Sequence, residues 1–123
     1  MHAALSGYLD SMQADGKAIL TVQNHLKYCK SYLLYCGMTE YIIDTVKITP
    51  DSVGEYTSSL WVLRRADSTI ISMVSGVLAW CEWLEMNGKV SPESPFRNLK
   101  AKGLLASLKK SNPMRANHRD DDD

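Results

Sequence analysis

Three histidines and three cysteines are the side chains best suited to chemistry in this chain of 123 residues, and their spacing argues against using them for it. His2 and His118 read as tail residues, and His25 lies beside an apolar stripe, where an imidazole ordinarily packs at a helix edge. No two histidines stand at metal-ligand spacing. Cys29 and Cys36 are seven apart, which places them on one helix face as small core residues, and Cys81 completes an odd set without CxxC spacing. That pattern suits neither a disulfide framework nor a zinc site and points to a reducing, intracellular setting. The acids occur singly, and the chain holds neither a glycine-rich phosphate loop nor an HExxH pair. The chain is therefore expected to be non-catalytic, with no metal and no cofactor. Its six tyrosines, all between Tyr8 and Tyr56, are assigned to core and bundle-edge packing, and of the three tryptophans Trp83 is the best placed for a partly exposed contact.

The length suits one domain with one core, and an apolar fraction of 45% with 23% charged residues is that of an ordinary folded protein. The most apolar stretch, Ile70 to Leu84, is interrupted by Ser72, Ser75, Gly76 and Glu82 and falls short of the roughly 20 residues of a membrane span, so no transmembrane helix is expected. The N-terminus lacks the charge and apolar pattern of a secretory signal. A formal charge of zero conceals a segregation: residues 1–96 carry seven basic against ten acidic side chains, residues 97–119 carry seven basic and no acidic ones, and Asp120 to Asp123 close the chain. A mildly acidic body is thus joined to a basic arm.

Helical periodicity organises the body. Leu5, Tyr8, Leu9 and Met12 define a first helix stopped by Asp15-Gly16. Thr21 is a candidate N-cap for a second, whose apolar stripe is Val22, Leu26, Cys29, Leu33 and Cys36, ended by Gly37. Thr49-Pro50-Asp51 opens a third helix with buried positions at Val53, Tyr56, Thr57, Leu60 and Leu63. Asp67 or Ser68 caps a fourth, which should be the most enclosed, with Ile70, Met73, Val74, Val77, Trp80, Cys81 and Leu84 inward. Ser72, Ser75, Gly76 and Ala79 make a strip that lets another backbone approach. Further on, Phe96 and Leu99 are apolar anchors, Leu104, Leu105 and Leu108 suggest one or two more turns, and disorder is expected beyond Lys110. The fold class is all-α: a compact four-helix bundle with a basic, partly disordered C-terminal arm.

Taken in order, Tyr8-Leu9-Asp10, then Thr21-Val22 with His25 and Lys27, then Thr49 to Val53, then Ser68-Thr69-Ile70 with Trp80 to Leu84, then Ser94 to Lys100, the segments resemble the N-terminal core-binding domain of tyrosine recombinases, the phage integrase family. The likeness covers residues 5–102 and lies in the order and spacing of the pieces. It implies a SAM-like bundle over residues 1–102, followed by an interdomain linker or tail over 103–123. It further implies that this module clamps the recombination-site duplex through its phosphate backbone, beside other protomers, while a separate C-terminal domain cleaves and rejoins the strands. The DNA-binding positions implied are Thr21 and Lys27 on the second helix and Ser68, Thr69 and Ser72 on the fourth. Asn24, Lys30, Arg64 and Arg65 widen the patch, and Lys100 and Lys102 begin the linker. Ile71-Ser72-Met73 stands where the family commonly has an Asn-Arg-Arg run, and Leu26 where it has a basic residue. The resemblance implies an intracellular protein, associated with the nucleoid in a bacterial or phage setting. An alternative of another class is a helical protein-interaction module whose Trp83 and small-residue strip receive a partner helix.

Overall fold

The computed structural model describes residues 1–63 and 66–90, and among them the chain is entirely helical. Four helices form a bundle: α1 (Ala3–Ala14), α2 (Ile19–Tyr35), α3 (Pro50–Val62) and α4 (Asp67–Met86). The expectations for Phe96, Leu99, Leu104, Leu105, Leu108 and the basic arm, and the boundary at residue 102, lie outside the described residues.

Local chemistry sets the helix ends. Thr49 and Ser52 form a reciprocal capping box, each side-chain oxygen accepting the other residue's backbone N–H at 3.1 Å, with Pro50 in the first turn, where its missing N–H costs nothing. At the end of α2 the backbone reverses through Gly37, whose φ of 78° is open to glycine without strain. Its N–H donates to Leu34 O and that of Met38 to Leu33 O, a Schellman closure that leaves Met38 buried beside the last turn.

The structure departs from the sequence expectations at four points. Thr21 does not cap α2: the helix begins at Ile19, as soon as the turn after α1 has reversed the chain, with Ala18 at the cap and no side-chain bond. Neither Asp67 nor Ser68 caps α4; Ala66 holds that position, and Asp67 sits in the first turn, where its carboxylate complements the helix dipole. Leu63 is not buried, because α3 ends one residue before it and leaves it two-thirds exposed. His2 is not a tail residue. Its Nδ1 accepts the Ala4 N–H at 3.0 Å, capping α1 in the absence of a hydroxyl or carboxylate there, and its own backbone N–H donates to Glu40 O.

The core gathers on α4. All seven of its expected inward residues are buried, and α4 packs against each of the other helices, most extensively against α2. At 20 residues it is long and apolar enough, by length and composition, to cross a membrane, which the shorter stretch read from the sequence was not. Its packing against three helices accounts for that apolar character. Trp80, fully buried, donates its indole N–H to Ala4 O at 2.9 Å and so fastens α4 to α1 across 76 positions of sequence. Buried phenols are likewise satisfied. Tyr56 donates to Ser31 Oγ at 2.8 Å, and Tyr32 pairs with Ser52 Oγ. Ser52 spends its single proton on Thr49 O, so in the Tyr32 pair the tyrosine is the donor. The longer connection between α2 and α3 is anchored by buried Met38 and Ile48 around a 3₁₀ turn at Thr45–Lys47.

The Trp80 bond carries a measurable expectation. Trp80→Phe keeps an aromatic ring in the core, opens a small void and leaves Ala4 O without the indole donor, which should cost about 2–3 kcal/mol. Trp61→Phe, at a half-buried position, should cost less than about 1 kcal/mol. Urea denaturation of the two variants checks the difference.

Candidate functional site

Where α2 and α4 meet, the surface opens into a groove of about 290 Å³ lined by Thr21, Asn24, His25, Tyr28, Ser72, Ser75 and Gly76. Its floor is made by a close approach. A Cβ at Gly76 would lie 2.9 Å from Cδ2 of Tyr28, so glycine at this position lets that ring approach the α4 backbone without displacement. The strip of small residues on α4 is therefore used inside the bundle at Gly76, by α2, and is open only at Ser72 and Ser75, both exposed. Trp83 is also engaged internally, half-buried with its ring 5.9 Å from that of Tyr8. The two features that suggested a partner helix are thus partly occupied by the protein itself.

Apart from His25, the polar side chains of the groove are unspent. Some hydroxyls elsewhere in the bundle bond internally, Thr57 to Val53 O at 2.8 Å, Ser59 to Tyr56 O at 2.6 Å, and Ser31 and Ser52 to tyrosines, while others such as Ser6, Ser11 and Ser58 do not among the described residues. Thr21, Asn24, Tyr28, Ser72 and Ser75 make no such side-chain bond among the described residues, and no buried side-chain nitrogen or oxygen lacks a partner. Their donors and acceptors accordingly face solvent. His25 is held from α1, its Nδ1 2.9 Å from the Tyr8 hydroxyl. Burial, and then the ammonium of Lys17, lowers its proton affinity from the ordinary histidine value. Lys17 therefore adds positive potential near the groove, and the groove lining includes no carboxylate.

The expected site residues divide. Thr21, Asn24 and Ser72 come together in this groove, and Ser68 and Thr69 are exposed in the first turn of α4. Lys27 and Lys30 do not join them. They line a second groove, of about 410 Å³, with Gln23, Leu26, Ser31 and Leu34. At 100° per residue, its lining is centred roughly 140° around α2 from the first. Lys30 is in addition held by Glu40, with Nζ 3.4 Å from Oε1, which offsets its charge. The single continuous patch is thus corrected to two faces of α2. Arg64, Arg65, Lys100 and Lys102 lie outside the described residues. His25, Tyr28 and Lys17 are additions to the expected site residues, and Ser75, expected only as part of the small-residue strip, joins them. The i, i+3, i+4, i+7 spacing of Thr21, Asn24, His25 and Tyr28 was the signal that could have found two of them.

Among the described residues no group of three or more His, Cys, Asp or Glu could hold a metal ion. Cys29, Cys36 and Cys81 are free thiols, and burial pushes all three up from the ordinary cysteine value, Cys29 and Cys81 while fully buried. Compared with protein-family models, with curated proteins and with solved structures, the chain matches none. Thiol chemistry tests the packing around the site directly. Maleimide at about pH 8 should label half-buried Cys36 in the folded protein, and Cys29 and Cys81 only after unfolding, as read by peptide mass spectrometry.

Proposed function

We propose that this chain is the DNA-gripping, non-catalytic helical module of a site-specific tyrosine recombinase, holding the recombination-site duplex by its phosphates while a catalytic domain of the parent protein cuts and rejoins the strands. The supporting observation is the α2/α4 groove, whose neutral donors are all unspent and face solvent on a lining without carboxylates. The pattern resemblance supplies the reaction context, an intracellular one in which further protomers share the DNA.

The chemistry follows from the donors. Phosphate oxygens only accept hydrogen bonds, and the hydroxyls of Thr21, Ser72 and Ser75 with the amide of Asn24 can donate to them. Such neutral contacts fix register and orientation. Long-range attraction must come from cations, of which Lys17 is, among the described residues, the one beside the groove. Lys27, on another face of α2, adds only at a distance, and Arg64 and Arg65 add charge from sequence next to α4. Lys30 contributes less, because Glu40 already holds it.

A second reading, docking of a protein partner, is favoured by a different observation. Ile19, Leu20 and Leu34 on α2 are 78%, 66% and 67% exposed, and Leu34 borders the second groove, which also contains Lys27.

Salt dependence separates the contributions. Fluorescence anisotropy with a duplex carrying the recombination site, at several ionic strengths, should give log affinity falling linearly with log salt. Lys17→Gln, which removes the cation beside the groove, should reduce the slope by about 1, the effect of losing one phosphate contact, whereas Lys27→Gln on the other face of α2 should change it little. Thr21→Val and Asn24→Leu should weaken binding with the slope unchanged. Failure to retain duplex at low ionic strength, even with the catalytic domain present, would reject the DNA reading. Wild-type retention by a Lys17→Glu, Arg65→Glu double variant would favour the second.

A further inference from the structure

His25 occupies an unusual position in the groove. Tyr8 reaches it from α1, and burial pushes the Tyr8 phenol up, so that hydroxyl keeps its proton and can donate to Nδ1. With the phenol as donor in this pair, the imidazole proton resides on Nε2. Nε2 has no partner among the described residues, and no side-chain nitrogen is both buried and unpaired, so Nε2–H reaches solvent from a residue of the groove lining.

The surroundings of the ring favour the neutral form in the free protein. From α1 it faces the uncharged phenol of Tyr8, from the α1–α2 connection the ammonium of Lys17, and on α2 itself the ring of Tyr28 at 6.4 Å between centroids. From α4 the groove lining presents hydroxyls and glycine, with no carboxylate to balance an imidazolium. A phosphodiester in the groove would supply that missing negative charge and offset Lys17 at the same time.

Resting on the reading of this groove as a duplex-backbone site, we propose that His25 is a proton-gated phosphate contact, which takes up a proton from solvent when DNA binds, so that grip tightens as pH falls. In the bound state Nε2–H donates to a phosphate oxygen. The new proton sits on Nδ1 and donates to the Tyr8 oxygen, whose own hydrogen rotates away. No bond other than N–H is made, and the proton comes from the buffer.

The sign follows from linkage. A ligand that binds the protonated form more tightly raises the proton affinity of the site, and the gain in affinity is at most about tenfold per pH unit for one proton. Duplex affinity of the intact protein, measured at constant ionic strength at about pH 7.5 and about pH 5.5, should rise roughly 3–10-fold at the lower value. The His25→Gln variant should show no comparable rise. In parallel, the imidazole Cε1–H signal of His25 followed by NMR in the wild-type protein should titrate at higher pH with duplex than without. That measurement keeps the test open if the variant folds poorly. Equal pH dependence in the wild-type and variant proteins, or an unshifted His25 titration in a protein that does bind duplex, overturns the proton gate and leaves the DNA reading standing. Absence of duplex binding at both pH values overturns both.

Discussion

The indole of Trp80, fully buried, gives its N–H to the carbonyl of Ala4, and the rest of the bundle is arranged so that this contact can be made. A large donor in a dry interior must find an acceptor or forfeit the free energy of desolvating it. α1 supplies that acceptor. To keep its first turn in place, α1 is capped by His2 and tethered through the His2 N–H to Glu40 O, so a residue at the start of the chain fixes the surroundings of one in α4. α4, too apolar to face water alone, is covered by α1, α2 and α3.

The same economy explains which surface stays available. Buried tyrosines use the hydroxyls of Ser31 and Ser52, and α3 satisfies its own polar groups at Thr57 and Ser59. With these engaged, the groove between α2 and α4 gathers neutral donors from two helices on a lining without charged side chains, whereas the second groove on α2 carries two lysines. The packing of the tyrosines thus engages Ser31 and Ser52 in the bundle and leaves the hydroxyls of Thr21, Ser72 and Ser75 to solvent.

Much of the fold was legible where one residue carries its own mechanism. Thr49-Pro50-Asp51 announces a helix start because capping, a missing N–H and the dipole act within one turn, and the stripe from Ile70 to Leu84 announces the central helix because its period is 3.6. Thr21 misled for the converse reason: a good capping residue caps only if the helix needs it there, and α2 had already begun at Ile19. The candidate site was half legible. Thr21, Asn24 and Ser72 meet as expected, but grouping Lys27 and Lys30 with them followed proximity in sequence, whereas 100° per residue carries them to another face. Which hydroxyls are already occupied, and that the ring of Tyr28 fills the space above Gly76, depend on contacts between distant segments, which no local pattern encodes.

Tyr28 belongs to two structures at once, since its ring closes the seam between α2 and α4 and also forms a wall of the groove. An occupant of that groove would rest on the joint that holds the two most extensively packed helices together. Occupancy and cohesion are then coupled by mass action: whatever binds there selects the assembled seam over the opened one and makes the whole bundle harder to melt.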